Sequence, residues 1–237
     1  MGKSEARVLV VVAHPDDEVL GAGGTASALT SAGIAVTSCI LAGNVEVRHR
    51  RPADGELRGD IERAASILGM GAPIMGDFPN IRMNTVPHLD MVEFIERAIV
   101  DTGATELFTH HPADLNDDHR QVSLACQTAA RLPQRRNGMG SITGLHLMEI
   151  ASSTDWSYAC AASSFTPTTF FEIGQDHLAK KLEALSAYRE VMRPFPHPRS
   201  TEVITGMAAT RGAQFGANYA EAFQSVHVDL GYLTQPR

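Results

Sequence analysis

The sequence predicts a Rossmann-like α/β fold, three layers in α/β/α order around a mainly parallel sheet, with a C-terminal extension. Three observations carry this. Short β-branched apolar runs alternate with helical segments over the first 150 residues, the pattern of right-handed βαβ units. The runs are almost continuously apolar, as strands buried on both faces must be. Two of them end directly in clusters of His and Asp, and open α/β sheets gather their ligands at the carboxyl ends of strands.

Arg7–Ala13 (RVLVVVA) is the first strand. Leu20–Ala32 is Ala-rich and closes at Gly33, a helix with a glycine stop. Ala35–Leu41 is a second strand, and Gly55–Leu68 a helix ending at Gly69. Pro87–Val100 is amphipathic, with Met91, Phe94, Ile95 and Ile99 on one side. Thr105–Thr109 reads as a strand, Asp118–Arg131 as a helix and Leu145–Ile150 as a strand. Ser152–Pro167 is Ser/Thr/Ala-rich and reads as a loop with some extended structure. Beyond it the sequence predicts a strand at Thr169–Ile173, a helix at Asp176–Val191, a helix at Thr201–Gln214 and a late strand at Val226–Leu230. Pro194, Pro196 and Pro198 stop the first of those helices. No repeat and no linker interrupts the chain. We expect one domain over residues 1–237, with the part from about 152 shaping the substrate site.

Composition narrows the function. The chain has 237 residues, 43% hydrophobic and 20% charged, with a formal net charge of −7. These values exclude a disordered or fibrous chain. The acidic balance disfavours a nucleic-acid binder, which needs a basic face. Cys39, Cys126 and Cys160 are too few and too far apart for a disulfide framework or a zinc finger. No apolar run approaches the ~18–20 residues of a membrane span, and no secretory signal is visible. Together these predict a soluble cytoplasmic protein.

The first constellation is His14-Pro15-Asp16-Asp17-Glu18, immediately after the first strand. Three carboxylates at a buried strand end are costly without a positive partner, and a divalent metal is the natural one. His14 and Asp17 are three apart and face the same way on a turn entering a helix. Asp16 then points elsewhere, where it can take a proton instead of binding metal. The competing reading is a solvated acidic turn with Asp16 or Asp17 capping the helix. The glycines of Gly21-Ala22-Gly23-Gly24 do not make a dinucleotide fingerprint, because His-Pro-Asp-Asp-Glu occupies the turn where its first glycine belongs. Close helix–sheet packing explains them better.

The second constellation runs from His110 to His119, after the strand ending at Thr109. With His14 and Asp17, one histidine from here completes a three-ligand N/O site of the kind catalytic zinc uses. His119 is the best choice, since it presents its ring from the first turn of the next helix. Asp117 or Asp118 would cap that helix. His110 and His111 are either substrate-facing, supporting, or core groups. Further on, Arg193, His197 and Arg199 stand among prolines. They suit a substrate-facing wall, with Arg193 or Arg199 recognising a phosphate, diphosphate or carboxylate, or else a surface loop paired with local acids. Trp156, the only tryptophan, reads as packing rather than as a sugar platform.

Ala13–Glu18 resembles the signature of the N-acetylglucosaminyl-phosphatidylinositol de-N-acetylase family, also called PIG-L or LmbE-like. Asp117-Asp118-His119-Arg120 is similar to that family's second motif. Pro196–Ser200, Arg211-Gly212 and Ala220–Phe223 resemble one bacterial branch. The resemblance implies a zinc-dependent deacetylase of N-acetylated sugars, or one using another divalent metal. It implies metal ligands His14, Asp17 and His119, and Asp16 as general base. Arg58 and Asp60 fall near a family Arg/acid segment beside the active site. Many members carry a histidine three residues before the last ligand, where it polarises the amide oxygen or serves as acid; this chain has Asn116. Asn116 can donate a hydrogen bond but not a proton, so Asn116, His111 or His197 would stabilise the oxyanion and the acid role passes to His110, His111, His197 or Asp16. Relatives often assemble, so a homo-oligomer is compatible. A close alternative keeps the metal-dependent hydrolysis and changes the substrate to another small amide; the competing class is a metal-free sugar- or nucleotide-binding module, which has no use for His14, Asp17 and His119 together.

Overall fold

In the computed structural model, residues 6–43, 54–136, 140–157 and 164–231 are described. Cys160, singled out above, lies outside them; Cys39 and Cys126 are buried free thiols. The elements are β1 (Arg7–Val12), α1 (Asp17–Ser31), β2 (Ala35–Ile40), α2 (Asp54–Ile67), β3 (Ile74–Met75), α3 (His88–Thr102), β4 (Glu106–His110), α4 (Asp117–Ala129), α5 (Leu132–Arg135), β5 (Gly144–Met148), β6 (Thr169–Glu172), α6 (Gly174–Ala187), α7 (Thr201–Phe215) and β7 (Ala220–Val228). A 3-10 turn at Met83–Thr85 precedes α3.

One seven-stranded sheet runs β3-β2-β1-β4-β5-β7-β6. The first five strands are parallel, and β7 pairs antiparallel with both β5 and β6. Side chains of β1 alternate between two cores. Val8, Val10 and Val12 pack with Leu20, Ile61, Leu68 and Leu185 on the α1/α2/α6 face. Leu9, Val11 and Ala13 pack with Met91, Ile95, Val122 and Cys126 on the α3/α4 face. Burial on both faces explains why β1 shows no polar alternation. Gly33 and Gly69 close α1 and α2 with φ of +82° and +70°, the left-handed geometry that favours glycine at a helix end.

The differences from the sequence reading have physical causes. Helix α1 begins at Asp17 rather than Leu20, because the acidic turn itself forms the first helical turn. Helix α6 ends at Ala187, and Tyr188 is already extended, well before the prolines. The last strand starts at Ala220, not Val226. Its buried half, Ala220–Phe223, contains two alanines and a glutamate and no β-branched residue, yet it is the half that pairs with β6. Strand β3 has two residues, too few for any periodicity.

The strand order reverses between β1 and β4, with β2 leaving to one side of β1 and β5 to the other side of β4. Such a switch point leaves a crevice at the carboxyl ends of the two strands. Both His/Asp clusters open into it.

Candidate metal centre and active site

The β1 end is shaped by its own turn. Asp16 sits at φ +95°, ψ −28°, a left-handed conformation that costs a non-glycine residue about 1–3 kcal/mol and gathers at functional sites. The Asp16 carbonyl accepts the Val19 and Leu20 amides at 3.2 and 2.9 Å, starting α1 at once. The Asp17 carboxylate turns back, and its Oδ2 accepts the His14 amide at 3.0 Å. The two neighbouring carboxylates therefore diverge.

Three donor atoms converge in the crevice. His14 Nδ1 lies 3.2 Å from Asp17 Oδ2, His119 Nε2 lies 3.1 Å from the same oxygen, and the two nitrogens are 3.2 Å apart. A tetrahedral centre with bonds of about 2.0–2.1 Å needs donor separations of about 3.3–3.4 Å. The triangle is within a few tenths of an ångström of that. All three residues are at most 2% exposed.

Each histidine is aimed by a carboxylate on its far nitrogen, the arrangement that orients metal-binding imidazoles. His14 Nε2 meets Asp118 Oδ2 at 2.9 Å. Asp118 is itself held by the amides of Ile81 (2.5 Å) and Met83 (3.0 Å). His119 Nδ1 faces Asp114 Oδ2 at 3.2 Å, and Asp114 accepts from Thr154 Oγ1 at 2.8 Å and from the Ser153 hydroxyl. Burial disfavours charge on His119, but the carboxylates of Asp17 and Asp114 outweigh it and push that group up to about 10. Burial would raise Asp17, yet His119, His14 and His110 hold it well below the usual carboxylate range. Two aimed nitrogens and one carboxylate oxygen at these distances fit a divalent cation.

The structure separates the other sequence candidates. Asp16 Oδ2 receives Arg199 Nη1 at 3.0 Å, and Arg199 Nε donates to Ser152 Oγ at 2.8 Å. Arg199 thus engages a side chain of the site itself. His110 does not join the triangle: its Nε2 accepts the Ala13 amide at 2.8 Å and its ring stacks on His119 at 3.9 Å. Burial, and the charge of His119, push it down to about 3. His111 is occupied as well: Nδ1 accepts the Ala113 amide and Nε2 meets Gln224 Oε1 at 3.1 Å. His197 spends Nδ1 on the Arg199 amide at 3.0 Å, and its ring stands edge-on to Trp156.

Asn116, and neither Asp117 nor Asp118, caps α4: its Oδ1 accepts the Asp118 amide at 3.0 Å. Asn116→Ala should lower stability by about 1 kcal/mol, as losing such a cap does. Chemical denaturation checks this, with metal content unchanged. Arg193 is exposed. Arg58 is not brought to the cluster: its side chain is 73% exposed and pairs with Glu62 one turn along α2. Asp60, beside it in sequence, is buried against Arg63 and the Arg189 amide. The sequence reading missed the roles of Asp114, Asp118 and Ser153. It also missed Glu18, whose Oε2 accepts the Asp16 amide at 3.1 Å and whose Oε1 takes the Tyr188 hydroxyl. Burial pushes the Glu18 carboxyl up to about 8, and its two hydrogen bonds make this third acid a brace of the turn.

A family profile described as GlcNAc-PI de-N-acetylase, PIG-L, matches residues 9–130, just over half of the chain. The chain belongs to this family. The matched span contains both turns that build the triangle. The uncharacterized deacetylase YaiS of Escherichia coli K12 is 26% identical over 191 residues, covering 77% of this chain and 90% of that protein. Among solved structures, the conserved protein TT1542 from Thermus thermophilus superposes with a TM-score of 0.78 at 22% identity, covering 97% of this chain and 99% of that one. The N,N′-diacetylchitobiose deacetylase of Pyrococcus horikoshii gives 0.73 at 17% identity, with 98% and 90% covered. GalB, the 4-carboxy-2-hydroxymuconate hydratase of Pseudomonas putida KT2440, gives 0.77 at 21%, with 98% and 99% covered. These likenesses establish the fold of the PIG-L and LmbE-like deacetylases. Since a deacetylase and a hydratase share it, the reaction has to be argued from side chains. Among the described residues no helix is long and apolar enough to cross a membrane.

Proposed function

We propose that this protein is a metal-dependent amide hydrolase that removes the acetyl group from an N-acetyl amino sugar or sugar conjugate and releases acetate. The observation that carries the reading is the His14–Asp17–His119 triangle with a separate carboxylate, Asp16, on the adjoining residue. A bare binding module needs neither. His14, Asp17 and His119 would hold the cation; zinc suits two imidazoles and one carboxylate, and other divalent ions are accommodated by such sets. When bound, a divalent metal supplies positive charge that acidifies water and offsets charge on a polarised carbonyl.

The remaining work belongs to this chain's own side chains. Asp16 accepts a proton from the attacking water at its carboxylate. The Arg199 guanidinium 3.0 Å away keeps that carboxylate ionised until then, because an opposite charge at this range favours the charged form. Asp16 then returns the proton to the leaving nitrogen. His110 and His111 are occupied by the hydrogen bonds described above, which leaves Asp16 as the shuttle in both directions. His197 spends Nδ1 on the Arg199 amide, and its Nε2–H would be offered to the acyl oxygen or the sugar.

Arg199→Met tests the electrostatic part. Without the guanidinium Asp16 holds its proton more tightly. Activity needs the ionised base, so the acidic limb of the kcat/KM profile should move to higher pH. Arg199→Lys should move it less. An unmoved limb in Arg199→Met removes Arg199 from this role.

The substrate is tested by acetate release across N-acetyl sugars, from N-acetylglucosamine to N,N′-diacetylchitobiose and larger conjugates. The reading expects stoichiometric acetate and free amine from at least one. Metal-loaded protein that releases acetate from none contradicts it.

A further inference from the structure

We propose that Lys181 and Glu221, far from the triangle in sequence, are positioning residues that fix the turn bearing Asp16 and Asp17 by clamping a break in α1. This rests on the reading of that turn as the reactive centre.

Helix α1 is not continuous: Ala22 has φ −143° and ψ +17°, outside the helical range. A break creates new ends, with carbonyls left over on one side and amides on the other. Buried ends of this kind need partners. Here one buried ion pair serves both. On the first side, Lys181 Nζ donates to the Leu20 carbonyl at 2.8 Å. On the second, Glu221 accepts the Gly24 amide at 3.0 Å and the Thr25 amide at 2.7 Å. The two charges meet at 2.6 Å. Each charge also has the right sign: the ammonium faces a carbonyl end and the carboxylate an amide end.

The glycines make the approach possible. A Cβ on Gly24 would stand 2.8 Å from Ile173 Cδ1 and 3.3 Å from the Glu221 carboxyl carbon, and one on Gly23 would stand 3.2 Å from Lys181 Cγ. A Cβ on Gly21 would meet Ile150 and Met148 at 2.7 and 2.8 Å. The segment between Asp17 and the break is therefore held on two sides. It lies against the tail of β5, which leads into Ser152 and Ser153, the partners of Arg199 and Asp114. It is also tied to α6 and β7 by the ion pair. A buried ion pair is a poor stability device, often replaceable by apolar groups at no loss. Satisfying the ends of a broken helix whose first turn carries the site is a task apolar groups cannot perform.

The test compares Glu221→Gln and Lys181→Met with wild type by amide hydrogen exchange and zinc affinity. Gln cannot accept both amides and the ammonium. Lys181→Met removes the ammonium but leaves the Gly24 and Thr25 amides their acceptor in Glu221, and it serves if Glu221→Gln does not fold. We expect exchange to quicken at least tenfold in the segment from His14 to Thr25, with the α4 amides unchanged and zinc bound at least tenfold more weakly. Lys181→Arg, which keeps the cation, should restore most of both. Uniform quickening across the protein with zinc affinity kept within twofold, or no local change, overturns the proposal. Wild-type protein that takes up no zinc contradicts the metal reading instead, and the exchange comparison still decides whether the clamp holds the turn.

Discussion

Asp16→Ala should lower acetate release by about 10²–10⁴-fold, the range expected when a positioned proton acceptor is lost, while metal content should stay at the wild-type level. The separation of the two effects is the point. Asp16 and Asp17 are neighbours, but Asp17 Oδ2 is 3.1–3.2 Å from both ring nitrogens, whereas Asp16 faces Arg199 on another element. Asp16→Asn should behave like Asp16→Ala, since it preserves shape and removes the base. Rates come from acetate assays and metal content from elemental analysis of the same sample. Near-wild-type turnover in Asp16→Ala would show that the proton acceptor lies elsewhere.

His119→Ala should give the complementary result, loss of bound metal and of activity with it. Removing this imidazole leaves two donors and exposes Asp114 to a gap where its partner stood. The wild-type cluster also predicts a pH dependence. His119 is pushed up to about 10 when no cation is present, so below that pH it carries a proton that metal must displace. Zinc uptake by chelator-treated protein at pH 7 should release about one proton from this group, and affinity should fall about tenfold for each pH unit lowered, as expected when metal and proton compete. Calorimetry in two buffers of different ionisation heat reads the proton count directly. Uptake without proton release would mean that His119 is neutral beforehand.

Much of this architecture was legible in the residues because its causes are local. The apolar runs of β1, β2, β4 and β5 follow from burial on both faces. The His14–Asp17 pairing follows from a spacing of three on one turn. What was illegible depends on contacts made across the chain. Arg199 finds Asp16 at a separation of 183 residues, Asp118 finds His14 at 104, and Glu221 finds Gly24 at 197. Nothing near Arg199 in sequence distinguishes a substrate-binding arginine from one that pairs with a buried carboxylate. Arg58 shows the converse: its place beside a family-like segment suggested the site, and the helical phase of α2 turned it outward toward Glu62. Asn116 is a case of two readings from one residue type. An asparagine before Asp117-Asp118 is also a helix cap, and that is where its oxygen goes.

The claim at the centre is that a divalent cation in the His14–Asp17–His119 triangle is required for amide hydrolysis. The most direct measurement is acetate release by wild-type protein before chelation, after complete metal removal, and after adding back one equivalent of zinc. The account predicts activity, its loss, and its recovery, with no recovery in His119→Ala. Undiminished acetate release by metal-free protein would contradict it.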